Sequence, residues 1–374
     1  MAKWNRDCKS FPGIYACDIM KSESYKDCND CKFYEPISKK ILIIKLGAMG
    51  DVLRTTPILY ALKEKYKDAQ ITWLVKEEAK ELLKNNHYID RLWIYNFETA
   101  LRLEYEHFDI LINLEIAPPA TVLANKVNAK EKFGCFLDKD GHPNCFNQAA
   151  KYYLERAFSD YKNRNNRRTY LEMMFGIIEL PYNKQDLILN INNKEFENKF
   201  KKENKITEKD KVIGINIGSD KRWPSKAISK EKIIELIKKI QKENDYKIIL
   251  LAGPQEIEKQ EEIIKEVEVL YNDPNNTLKE FSSIINICHL IITGDTLALH
   301  LATALKKKVI ALFFCTPPWE VEDYNRIKKI VSPLLDKYFY CDYYNEELVN
   351  SISTNEILED INYLFNSSKI NLIK

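Results

Sequence analysis

The chain has 374 residues, more than the ~250–300 that one hydrophobic core usually serves, so two domains are expected. Hydrophobic residues make up 45% and charged residues 30%, which excludes a disordered chain. Lysine plus arginine number 57 against 55 aspartate plus glutamate, a net charge of +2. That near-neutrality gives no bulk attraction to nucleic acid, and none is assigned as a partner.

The N-terminus lacks the apolar run of a secretory signal, and no stretch approaches the ~18–20 apolar residues of a spanning helix. The expected place of work is the cytoplasm, in solution or at the inner face of the membrane. Nine cysteines in such a reducing compartment read as thiols or metal ligands before disulfides.

Residues 1–38 carry Cys8, Cys17, Cys28 and Cys31 with almost no helical or strand periodicity. From Lys39 onward strand, turn and helix alternate. Ile41–Leu46 (ILIIKL) is the continuous apolar run of a parallel strand covered on both faces. A Gly-bearing turn follows, then one helix over Val52–Tyr66. Strands are expected at Ala69–Val75, Arg91–Tyr95 and Phe108–Leu114, with a helix at Glu77–Asn85. This is the βαβ series of a doubly wound α/β domain spanning residues 39–185. Residues 186–210, rich in Lys, Glu and Asn, read as a linker. A second βαβ series then fills residues 211–350. Its expected strands are Val212–Ile217, Lys247–Ala252, Val267–Tyr271, Leu290–Thr293 and Val309–Phe314. Its expected helices are Ile233–Glu243, Glu256–Glu266, Leu278–Cys288 and Leu297–Leu305. Residues 351–374 close the chain as a helix. Two such domains suggest a cleft enzyme with ligands at the carboxyl ends of both sheets.

Four strand-end motifs carry chemistry. In LGAMGDVLRTTP (Leu46–Pro57), Gly47 and Gly50 permit a tight turn and a close approach to a ligand. Asp51 sits at the following helix start, either as a cap or as a carboxylate facing the cleft. In GINIGSDKRWP (Gly214–Pro224), Ser219, Lys221 and Arg222 suit a phosphate, although a solvated basic loop around a buried Trp223 has the same pattern. LLAGPQE (Leu250–Glu256) leaves Glu256 to grip a ribose hydroxyl or to cap a helix. In LIITGDTLALHLATA (Leu290–Ala304), Asp295 and Thr296 stand at a helix mouth that can bind an anion, and His300 follows one turn on inside the apolar pattern. Neither GxGxxG nor GxxxxGK[ST] occurs in the first turn, which argues against a dehydrogenase or a P-loop NTPase.

In this order, between Lys39 and Thr316, these motifs resemble glycosyltransferase family 9, the ADP-heptose heptosyltransferases. The resemblance implies a GT-B architecture of two Rossmann-like domains facing a cleft, with the donor held mainly by the second. It implies Asp51 as general base and Lys221, beside Ser219, as the lysine on the donor phosphate. It further implies Glu256 on the nucleoside, and Asp295, Thr296 and His300 near the sugar and diphosphate. Gly50 belongs to the same GD motif, and Arg222 joins Lys221 in neutralising the diphosphate. The family's usual glycine after the Asp-Thr pair is Leu297 here.

The function expected is inverting transfer of a heptose-like sugar from a nucleotide diphosphate to an acceptor hydroxyl on a glycan, a lipopolysaccharide core or a protein. No catalytic metal is expected, since the cleft motifs lack an acidic DxD pair. Two readings compete: a nucleotide-sugar epimerase or hydrolase, and a non-catalytic nucleotide-sugar-binding protein. The head's C-x8-C-x10-C-x2-C pattern suits a structural zinc, or iron, held by Cys8, Cys17, Cys28 and Cys31.

Overall fold

The computed structural model describes residues 3–13, 15–191 and 193–370, the last five through their backbone alone. Residues 371–374 of the expected closing helix lie outside the described set. The chain divides into two compact units. One comprises Met1–Asn163 with Leu171–Gln185, the other Arg164–Tyr170 with Asp186–Lys374.

The first unit holds six strands: β1 (Lys40–Ile44), β2 (Gln70–Val75), β3 (Arg91–Ile94), β4 (His107–Asn113), β5 (Asn128–Leu137) and β6 (Pro143–Cys145). They lie in the order β3-β2-β1-β4-β5-β6, parallel except for β6, which returns antiparallel to β5. Ile41, Leu42, Ile43 and Ile44 are all fully buried, as a central strand with both faces covered requires.

The second unit repeats the plan with β7 (Val212–Asn216), β8 (Lys247–Leu251), β9 (Leu270–Tyr271), β10 (Leu290–Gly294), β11 (Lys308–Phe313) and β12 (Ile327–Val331). Their order is β12-β11-β10-β7-β8-β9, with every pairing parallel. Its helices are built on plain amphipathic spacing. Lys230–Glu243 buries Ile233, Leu236, Ile237 and Ile240 at intervals of three, one and three, and Ser229 caps it by accepting the Lys232 N–H at 3.2 Å.

In each unit the strand order reverses beside the first strand, between β1 and β4 and between β7 and β10. In doubly wound sheets that switch point, at the carboxyl ends, is where ligands bind. The two doubly wound sheets match the α/β class expected from the alternation.

Some expectations need correction. The helix anticipated over Val52–Tyr66 is two, Met49–Thr55 and Ile58–Lys65, because Pro57 lacks the N–H that a continuous helix would use. The stretch 186–210, read as a linker, contains the helix Lys194–Glu203. Its Phe200 is buried, and its Glu197 accepts a hydrogen bond from Asn286 at 2.9 Å, so the segment is part of the second unit. The strand anticipated at Val267–Tyr271 shrinks to Leu270–Tyr271, whereas β5, β6 and β12 went unanticipated. β5 and β12 are only partly buried, with just two buried residues each, and so lack the continuous apolar run that marks an inner strand.

Candidate functional site

In the first unit the site is built around the β1/β4 switch point. β1 continues into Lys45, whose side chain is 1% exposed, and its ammonium lies 3.1 Å from Glu115 just past β4. The same Glu115 oxygen accepts the Gly47 N–H, while Lys45 also donates to the Leu114 carbonyl at 3.4 Å. Asn113 at the end of β4 fixes this glutamate. Its amide nitrogen donates to the carbonyls of Glu115 (3.1 Å) and Cys135 (2.6 Å), and its oxygen accepts the Glu115 N–H at 3.2 Å. A buried ion pair thus holds the turn that delivers Gly50 and Asp51.

Asp51 is not the helix cap. Ala48 occupies that position, and Asp51 lies in the first turn. Its half-exposed carboxylate meets the guanidinium of Arg54 one turn on, at 2.8 and 3.0 Å. That pairing fixes the carboxylate's orientation.

In the second unit the β7/β10 switch point carries an equivalent arrangement. Asn216, ending β7, donates to the Gly218 carbonyl at 3.0 Å and to the Thr296 hydroxyl at 3.3 Å. Thr296 stands at the cap position of the helix Leu297–Ala304 without a side-chain capping bond, and its hydroxyl lies 3.0 Å from that of Thr293. Asp295 faces two cations or potential cations, with Lys226 Nζ at 3.1 Å and His300 Nε2 at 3.9 Å. His300 is 8% exposed, so it is a buried histidine that nevertheless reaches the site.

The loop between them is tied from below by one helix start. Glu256 accepts the N–H groups of Gly253 (3.1 Å) and Ser219, and burial pushes its carboxyl above the ordinary range. A Cβ at 218 would stand 2.6 Å from the Glu256 carboxyl carbon, so a larger residue there would push that carboxylate aside. Lys259, one turn on, donates to the carbonyls of Ile217 (3.0 Å) and Ile228 (2.8 Å), the two feet of the loop. Burial lowers its ammonium to about 8. Lys221 and Arg222 stand exposed at the loop's crest. Trp223 is half-buried, packed on Tyr340 at 5.6 Å, with the Arg222 guanidinium 5.1 Å from its centroid and Lys226 Nζ at 5.7 Å.

The structure therefore brings Ser219 and Glu256 together, and Asp295, Thr296 and His300 together, in the second unit. Gly50 and Asp51 belong to the first unit. Sequence reasoning passed over Lys45, Arg54, Glu115, Asn216, Lys226 and Lys259. Two signals were available: a lysine interrupting the apolar ILIIKL run, and an asparagine ending the fourth strand of one unit (ILIN) and the first of the other (VIGIN).

In the head, Cys8, Cys17, Cys28 and Cys31 are all free thiols, and all four line one cavity of about 490 Å³ with Trp4, Phe11, Tyr25 and Phe33. Cys8 is the buried member. Among the described residues no three His, Cys, Asp or Glu side chains are grouped closely enough to hold a metal ion. Among the described residues no helix is long and apolar enough to cross a membrane.

Comparison with known proteins bears on this geometry. The model of glycosyltransferase family 9 (heptosyltransferase) matches residues 97–339. Lipopolysaccharide heptosyltransferase 1 of Campylobacter coli is 27% identical over 354 residues, 87% of this chain and 99% of that protein. The crystal structure of a glycosyl transferase family 9 protein from Veillonella parvula superposes with a TM-score of 0.67 at 20% identity, covering 88% of this chain and 98% of that one. The E. coli heptosyltransferase WaaC with ADP gives 0.58 at 15% identity, covering 89% and 100%. With two doubly wound sheets, each carrying polar strand-end residues at its switch point, this chain belongs to glycosyltransferase family 9 and is a glycosyltransferase.

Proposed function

We propose that the protein transfers a heptose from ADP-heptose to an acceptor hydroxyl on a lipopolysaccharide-type glycan, with inversion at the anomeric carbon. The observation that supports this most is the pairing of roles at the two switch points. One presents a carboxylate, Asp51, and the other a hydroxyl, two cations and a tied loop suited to a diphosphate. In this reaction Asp51 takes the proton of the acceptor hydroxyl as its oxygen attacks the anomeric carbon. The bond from that carbon to the diphosphate oxygen breaks, and the nucleoside diphosphate leaves with the electron pair. Lys221, Arg222 and Ser219 bind the diphosphate, where charge grows, and Lys226 with Asp295 and Thr296 orients the sugar side. Glu256 serves the nucleoside by shaping the Gly218–Ser219 turn beneath it. No step in this scheme uses a metal.

ADP as the nucleotide is favoured by the likeness to WaaC with ADP, and a lipopolysaccharide acceptor by the Campylobacter coli relative. The test is incubation with ADP-heptose, with and without a truncated lipopolysaccharide core, followed by mass spectrometry. Acceptor gaining one heptose supports the proposal. Conversion or hydrolysis of the donor without acceptor supports the epimerase or hydrolase, and binding without any turnover supports a non-catalytic protein.

For the head we separately propose a structural zinc or iron ion on Cys8, Cys17, Cys28 and Cys31, which would have to draw the four thiols closer together than they stand here. Four thiols suit either metal, and Cys8 is the one buried residue among the described residues of this segment, so little apolar packing holds it together. Metal content of protein purified without chelator should be near one per chain and fall in Cys28→Ser. Sub-stoichiometric metal in the wild type would remove this role.

A further inference from the structure

Outside the head, two other cysteines meet where the first unit's sheet ends. The hairpin between β5 and β6 is closed by the Asp138 N–H donating to the His142 carbonyl at 2.9 Å, with Gly141 in the left-handed region (φ +82°). The Asp138 carboxylate accepts the N–H groups of Asp140 (3.0 Å) and His142 (2.9 Å), so the turn fixes the register. In that register Cys135 faces Cys145 directly. Ladder bonds join Phe146 N–H to the Gly134 carbonyl on one side and Asp138 to His142 on the other. Cys135 and Cys145 therefore occupy a non-hydrogen-bonded pair, the closer of the two antiparallel kinds, with Cα atoms roughly 4.5 Å apart. That spacing falls at the short end of the roughly 4.4–6.8 Å a disulfide spans. Their sulfurs lie 3.4 Å apart as free thiols.

The two thiols differ in access. Cys135 is 1% exposed and Cys145 half-buried. Cys145 sits two residues before Asn147, the cap of the helix Gln148–Phe158, whose N-terminal dipole favours an anion. The Cys135 thiol hydrogen-bonds to Cys145 and Lys151 adds a positive charge nearby, which together lower the Cys145 thiol, whereas that hydrogen bond and burial raise Cys135. The Cys135 carbonyl, in turn, accepts the 2.6 Å bond from Asn113, the residue that orients Glu115 behind the Gly47–Asp51 turn.

We infer that Cys135 and Cys145 are a reversible dithiol–disulfide pair whose oxidation acts on the turn carrying Asp51. The Cys145 thiolate attacks a low-molecular-weight disulfide such as glutathione disulfide, releasing one thiolate and forming a mixed disulfide. Cys135, losing its proton to solvent, then attacks the Cys145 sulfur and expels the second glutathione thiolate. Two protein thiols are oxidised and one glutathione disulfide is reduced to two thiols, so the balance closes. A transient, regulatory disulfide of this kind is compatible with a reducing compartment.

Tryptic cleavage after Lys132, Lys139 and Lys151 places Cys135 in the peptide Phe133–Lys139 and Cys145 in Asp140–Lys151. The full-length protein is equilibrated with mixtures of reduced and oxidised glutathione, quenched by acid and alkylation, and digested. The expected product is these two peptides joined, released by dithiothreitol and absent from Cys145→Ser. In Cys135→Ala the Cys145 peptide should instead accumulate glutathione. A persistent Cys145–glutathione adduct in the wild type, or a link from Cys145 to a head cysteine, would overturn the pairing. The second arm rests on the proposed transferase reaction. Oxidation should change turnover at least twofold with ADP affinity unchanged, and Cys145→Ser should abolish that response. Linked peptides with unchanged turnover would remove the regulatory action, and no linked peptide would remove the site itself.

Discussion

Glu115→Ala is the substitution whose cost can be worked most directly from the structure. It deletes the carboxylate 3.1 Å from Lys45, whose side chain is 1% exposed, and so strips the ion-pair partner from a buried ammonium that also donates to the Leu114 carbonyl at 3.4 Å. Breaking a buried ion pair from one side typically costs ~3–5 kcal/mol, since the surviving charge has lost its compensation. The Gly47 N–H also loses its acceptor, but Gly47 is partly exposed and water can replace it. The double variant Lys45→Met, Glu115→Gln removes both charges and keeps an amide oxygen for Gly47, so it should recover most of the loss. Urea unfolding followed by tryptophan fluorescence measures this. With Trp223 and Trp319 changed to Phe, the remaining reporters are Trp4, Trp73 and Trp93, all in the first unit. A loss below ~1 kcal/mol in Glu115→Ala, or a double variant no better than the single, would refute the view that this pair is what secures the turn.

Two further outcomes concern the second unit. Because burial lowers the Lys259 ammonium to about 8 from 10.5, the unfolded chain binds more protons between those values. Stability should therefore rise with pH from about 8 to 10.5, by roughly 3 kcal/mol, and Lys259→Met should flatten that rise in denaturation curves taken across the range. Lys221→Ala should weaken ADP binding and turnover together, because charge grows on the leaving group. Calorimetry showing unchanged ADP affinity would move the phosphate contact off Lys221, with Lys226 as the next cation to substitute.

Much of the fold was legible because inner parallel strands write themselves as continuous apolar runs. ILIIKL, KIILLA and LIITG are read correctly for that reason, and the motifs that end ILIIKL and LIITG fall at the two switch points. Outer strands were less legible. β5 carries Lys130, Glu131 and Lys132 on its way to Cys135, and a half-exposed strand of that kind resembles a loop. The helix Lys194–Glu203 escaped notice because it buries only Glu197 and Phe200, so its composition outweighs its periodicity. At the site, residues named by motif were found, but their partners were not. Glu115 reaches Gly47 across 68 positions and Cys145 reaches Cys135 across a hairpin, and neither contact leaves a local pattern. Glu256 was expected either on a ribose or as a helix cap. It stands at the cap position, and its bonds to Gly253 and Ser219 hold the neighbouring loop.

The central claim is that Asp51 accepts the proton of the attacking hydroxyl, and Asp51→Asn tests it most directly. Asparagine keeps the size and can still accept the Arg54 hydrogen bonds, but it cannot take the proton. Single-turnover transfer from ADP-heptose should fall by a factor of ~10²–10⁴, while ADP affinity measured by calorimetry stays within a few-fold of wild type. Near-normal transfer in Asp51→Asn would contradict the account, leaving Asp51 as the partner of Arg54 and nothing more.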